Sequence, residues 1–143
     1  MLPMKRNALV ILAAVCLAGV LIGCSVKSQQ AASPWLIQEA TSKDIAEAAA
    51  RGVPVVVKIG SDKCVPCREM NPVMAELAAH YQGKVLFLMV DVYKNQDLAA
   101  RYGVKVIPTL IFIDRSGKAV GYTEGFQSVE AMKSLIAKSG IVQ

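Results

Sequence analysis

Two cysteines three positions apart, in the run Cys64-Val65-Pro66-Cys67, are the residues of this chain best suited to chemistry. Thiols at that spacing can close a small disulfide ring. A β-branched run over residues 53–59 leads into the pair, and a helical pattern leaves it from about residue 68. A thiol at a helix N-terminus sits at the positive end of the aligned peptide dipoles. That field favours thiolate over thiol, and thiolate is the nucleophile of disulfide exchange. The pattern points to a redox pair rather than a structural staple.

The segments that must position the pair alternate between strand and helix. Residues 35–38 form a short first strand. Thr41-Ser42-Lys43-Asp44 has the form of a capping box ahead of a helix over 45–51, which Gly52 stops. Residues 53–59 and 85–91 are apolar runs of the kind buried on both faces of a sheet. A helix over about 67–81 carries Met70, Val73, Met74 and Leu77 at helical spacing, with Pro72 inside it as a kink. A short helix near 95–102 precedes a strand that ends at Ile113. Asp114-Arg115-Ser116-Gly117 then turns the chain into a partner strand over 119–123. Ser128 caps a last helix that runs through Ser139. The order β-α-β-α-β-α-β-β-α predicts an α/β fold with a mixed central sheet and helices on both faces.

The first residues read as a targeting segment. Lys5 and Arg6 precede an uncharged apolar run over residues 8–22, shorter than a membrane-spanning helix needs and fitting a signal sequence. Leu21-Ile22-Gly23-Cys24 resembles the lipobox of bacterial lipoproteins, which implies cleavage after residue 23 and lipid on Cys24. Acyl chains on one cysteine can hold a protein on a membrane without a spanning helix. The expected organisation is a signal peptide at 1–23, a lipidated cysteine and polar tether at 24–34, and one domain at 35–143.

Charge and cysteine count narrow the function. The formal net charge is +5, and two of those units belong to Lys5 and Arg6 in the leader. The remaining basic residues are scattered, which leaves nucleic-acid binding without support. Of four cysteines, Cys16 lies in the leader and Cys24 at the lipobox, so Cys64 and Cys67 are the free pair of the domain. Zinc or an iron–sulfur cluster needs about four protein ligands, and the domain adds one histidine, His80, at the far end of a helix. No metal and no cofactor are expected, and His80 reads as solvated.

From about Trp35 onward the chain resembles the thioredoxin family. Cys64-Val65-Pro66-Cys67 is similar to that family's active-site pair, and Pro72 stands where its second helix is kinked. Tyr102-Gly103-Val104-Lys105-Val106-Ile107-Pro108-Thr109 resembles the segment holding its cis-proline, here Pro108. Gly117 and Gly125 fall at its hairpin turn and late glycine. The resemblance implies a thioredoxin-like three-layer sandwich. It implies Cys64 as the exposed attacking thiol, Cys67 as the covered resolving thiol, and Ile107, Pro108 and Thr109 as the loop that meets the client strand. Pro66 limits backbone freedom between the two thiols.

Departures from the family pattern concern charge. Lys63 stands where the family has tryptophan, and Lys58 stands six residues before Cys64, where the best-known members bury a carboxylate. Phe87 stands where those members carry a paired lysine. Lys58 can snorkel its ammonium to the surface or, desolvated and neutral, serve as a base. As a cation it stabilises thiolate and the reduced pair, and Lys63 and Arg68 push the same way more weakly. The expected function is that of a thiol:disulfide oxidoreductase, taken as a reductant, working as a monomer on disulfide-bearing exported proteins. It would face the periplasm or cell exterior on a lipid anchor and exchange electrons with a membrane redox partner. The alternative is a Cu(I) carrier that uses the same two sulfurs.

Overall fold

A computed structural model describes residues 33–142; the expected leader, lipobox and most of the tether lie outside the described residues. In chain order the elements are β1 (Leu36–Ile37), α1 (Ser42–Ala50), β2 (Val55–Gly60), α2 (Val65–His80), β3 (Leu86–Asp91), α3 (Gln96–Arg101), β4 (Thr109–Ile113), β5 (Ala119–Glu124) and α4 (Val129–Ser139). This is the order expected from the sequence.

The strands form one five-stranded sheet in the order β1-β3-β2-β4-β5. β1, β3 and β2 run parallel, while β4 is antiparallel to both β2 and β5. Every residue of β2 is buried, which explains its lack of polar alternation. Successive side chains of a strand point to opposite faces, and each face has its own core. Val56, Phe87, Leu110 and Phe112 pack with Met70, Met74 and Leu77 of α2 and with Met132 and Ile136 of α4. Val55, Val57, Ile59, Leu88 and Ile111 pack with Ile45 and Ala48 of α1 and with Leu98 of α3. The result is helix, sheet and helix in three layers.

Local chemistry sets the helix ends. The Asp44 carboxylate accepts a hydrogen bond from the Thr41 backbone N–H at 2.7 Å, the back-reach of the expected capping box. Ser128 Oγ accepts from the Ala131 N–H at 3.2 Å and so starts α4. Two helices start earlier than expected. α1 begins at Ser42, directly after its cap, rather than at residue 45. α2 begins at Val65, not near residue 67 or 68. Pro66 is the physical reason, because its fixed φ suits a first helical turn and its missing N–H has no partner to lose there. Cys64 therefore becomes the N-cap itself. Pro72 lies on the exposed side of α2, and the helix continues past it to His80.

Candidate active site

Cys64 and Cys67 are joined as a disulfide, with their Cα atoms 5.2 Å apart. β2 delivers the chain to the edge of the core, residues 61–63 turn it, and α2 starts at once. The Cys64 sulfur accepts a hydrogen bond from the Cys67 backbone N–H at 3.3 Å. It takes the place that a serine or aspartate oxygen holds at an ordinary N-cap. Electron density on that sulfur is thus met by a peptide N–H and by the helix dipole. Cys64 is partly exposed, whereas Cys67 is 1% exposed.

The second wall of the site comes from far along the chain. The Ile107–Pro108 peptide bond is cis, as the family resemblance implied for Pro108. The Ile107 carbonyl oxygen lies 3.8 Å from the Cys64 sulfur. Two bonds secure this loop. Thr109 Oγ1 donates to the Val106 carbonyl at 2.6 Å, and the Gly125 N–H donates to the Pro108 carbonyl at 2.8 Å. Val65 and Val106, chain neighbours of Cys64 and Ile107, are 54% and 49% exposed. At these two positions the rim of the disulfide is aliphatic and open to solvent.

The underside of the pair is built differently. Gly60, the last residue of β2, lets α2 come close: a Cβ there would sit 3.1 Å from Cys67 Sγ and 3.7 Å from Lys58 Cε. Lys58 does not snorkel outward. It is 5% exposed, and its Nζ donates to the Cys67 backbone carbonyl at 3.3 Å and to Asn71 Oδ1. Burial lowers its pKa from 10.5 to about 8, against a smaller upward pull from Asp62. A polar cleft of about 130 Å³, lined by Lys58, Gly60, Asp62, Asn71 and Asp91 among others, borders this group. The sheet register sets Met89, not Phe87, across from Lys58; Phe87 pairs with Val56, fully buried.

Of the other expected residues, Lys63, Pro66 and Arg68 flank the pair in the chain, while His80 lies at the opposite end of α2. Lys63 is exposed, with its backbone N–H bonded to Ser61 Oγ at 3.1 Å. Arg68 is exposed, and its Nη1 donates to the Asp62 carbonyl at 2.8 Å. Pro66 is exposed between the cysteines. His80 is exposed at the end of α2, edge-on to the Tyr81 ring. Asn71 was not singled out from the sequence. Its signal is its position four residues after Cys67, the one polar side chain on a stripe that includes Met70 and Met74.

Comparison with known proteins agrees with this geometry. The family model described as Thioredoxin matches residues 37–138. Over 75 residues the chain is 43% identical to a thioredoxin of Staphylococcus aureus strain NCTC 8325, covering 52% of this chain and 71% of that protein. A mutant thioredoxin from Halobacterium salinarum NRC-1 superposes with a TM-score of 0.66 at 30% identity, covering 76% of this chain and 94% of that one. With its cysteine pair at a helix start beside a cis-proline loop, this chain belongs to the thioredoxin family and is a thiol:disulfide oxidoreductase.

Proposed function

We propose that this protein is an exported, membrane-tethered reductant of disulfides, with Cys64 as nucleophile and Cys67 as resolving thiol. One observation carries the assignment: the Cys64 sulfur is partly exposed at a helix N-terminus while Cys67 is sealed beneath it. In the reduced protein the Cys64 thiolate attacks a client disulfide. One client sulfur leaves as thiolate, and a mixed disulfide forms. Cys67 then attacks Cys64 Sγ, the bond to the client breaks, and the second client sulfur leaves. Two electrons pass from the dithiol to the client disulfide.

The open rim at Val65 and Val106 and the fixed loop at Ile107, Pro108 and Thr109 suit an extended client strand laid across the sulfurs. Regeneration needs a dithiol donor, and a membrane protein relaying reductant fits an anchored enzyme. The leader and the Leu21-Ile22-Gly23-Cys24 run support export and lipid attachment at Cys24.

Insulin reduction by dithiothreitol tests the assignment. The protein accelerates precipitation of the insulin B chain, and Cys64→Ser falls to the dithiothreitol background. Activity of Cys64→Ser equal to that of the parent would refute the nucleophile. In fractionated cells the parent activity stays with washed membranes, and Cys24→Ala moves it to the soluble fraction. A soluble parent protein would remove the tether.

A further inference from the structure

The resolving step poses a proton problem that the exposed side of the site does not solve. Cys67 must lose its proton before it can attack, yet it is sealed from solvent at 1% exposure. The groups beneath it can be named element by element. α2 supplies Asn71 and the Cys67 carbonyl, and β2 supplies Lys58. The turn after β2 supplies Asp62, and the end of β3 supplies Asp91. Glu39, after β1, also lines the cleft and is paired with Lys94 at 3.0 Å. The strand neighbours of Lys58 are Met89 and Leu110, both apolar. Lys58 is therefore the one titratable group among the described residues whose side chain both bonds to the Cys67 backbone carbonyl and borders the cleft.

We propose that Lys58, held by Asn71 beneath the disulfide, takes the proton of the Cys67 thiol and passes it to the cleft during resolution. This rests on the reading of Cys67 as resolving thiol. The Cys67 S–H bond breaks as the neutral Lys58 amine becomes ammonium. The Cys67 thiolate then forms its bond to Cys64 Sγ, and the client thiolate departs with the electron pair of the broken bond. Ammonium returns the proton to water in the cleft beside Asp62 and Asp91. In the reverse direction the same ammonium protonates Cys67 as the disulfide opens. An amine with a pKa near 8 exchanges protons near neutral pH, as an ordinary surface lysine does not.

Dithiobis(nitrobenzoate) separates the two steps on the reduced full-length chain. The first nitrothiolate released reports attack by Cys64, and the second reports resolution by Cys67. In the parent the second phase should rise with pH through a midpoint near 8. Lys58→Met should leave the first phase within about threefold and slow the second by about 10²-fold at pH 8, the low end of what a positioned base supplies. Its midpoint near pH 8 should vanish as well. Lys58→Glu should restore a fast second phase with a lower midpoint. Asn71→Leu removes an acceptor of the ammonium, so its midpoint should fall below that of the parent. A second phase in Lys58→Met with parent rate and parent pH profile would overturn the relay and leave Cys67 as resolver. A parent protein that releases nothing in either phase would overturn both readings.

Discussion

The two sulfurs of one disulfide lie in opposite surroundings. Above, Cys64 meets solvent, aliphatic rim residues and the backbone of the cis-proline loop. Below, Cys67 meets a glycine, a buried lysine and an asparagine at the edge of a polar cleft. The upper side is made almost wholly from backbone: a peptide N–H to the sulfur, a carbonyl 3.8 Å away, and a loop tied down by main-chain and hydroxyl bonds. The lower side is made from side chains whose charge can change. Backbone geometry can serve any client strand, since every strand offers the same main-chain groups. Proton handling must be solved once, by particular residues, and the group this chain places there is the buried Lys58 amine.

The comparison is tested hardest by deleting the lower sulfur. Cys67→Ser keeps the upper machinery, so client attack should proceed at close to the parent rate. It loses an intramolecular partner that free thiols cannot match in local concentration. Turnover should fall by about a thousandfold or more, with mixed disulfide accumulating to one per protein on non-reducing gels and in intact mass spectra. Steady turnover in this variant would mean that the two sides do not divide the work.

The division was only half legible in the sequence, for physical reasons. The upper side is read from local signals: a cysteine pair after a β-branched run, Pro66 at a helix start, and Ile107-Pro108-Thr109 before an apolar strand. The order of elements follows in the same way from periodicity and turn residues. The lower side depends on depth and register, which no local pattern encodes. A lysine within a run of valines is compatible with a chain that reaches water and with one that stops short, and β2 at the centre of the sheet decides for the second. Likewise the pairing of β2 with β3 places Met89 rather than Phe87 beside it, a shift of two residues on one face. Asn71 joins the site because α2, packed on the sheet through Met70 and Met74, brings its side chain within reach of Lys58.

Stability gives a second measure of the lower side. The folded-state pKa of Lys58 is about 8 against an ordinary value of 10.5. Below pH 8 both folded and unfolded chains carry the proton, and the cost of burying the ammonium is present in full. Between pH 8 and 10.5 the folded chain gives up the proton while the unfolded chain keeps it, so stability rises with pH. Above 10.5 the cost is gone. The span corresponds to about 3 kcal/mol. Oxidised Lys58→Met should therefore be more stable than the parent at pH 7 by up to about 3 kcal/mol, with the gap closing toward pH 10.5. Urea midpoints of both proteins at pH 7 and pH 10 measure it. A gap independent of pH would show that Lys58 is not the titrating group.

The smallest effect belongs to the charges of the rim, and its size sharpens the comparison. Lys63 and Arg68 flank the pair but are exposed, and Arg68 already spends a donor on the Asp62 carbonyl. Their attraction for a thiolate acts through water and is screened by salt. Removing both as Lys63→Gln and Arg68→Gln withdraws positive charge from the reduced, thiolate-bearing state, so the potential should become more negative. Exposed pairs contribute about 0.5 kcal/mol, which for a two-electron couple is about 10 mV. Equilibration with glutathione at low salt should show that shift, and the difference should disappear in 1 M salt. Lys58→Met, measured alongside, should move the potential in the same direction by more and keep most of its effect at high salt, because its charge is buried. If the rim pair shifts the potential further than Lys58, the electrostatics of this site are set from above and the contrast between its two sides fails.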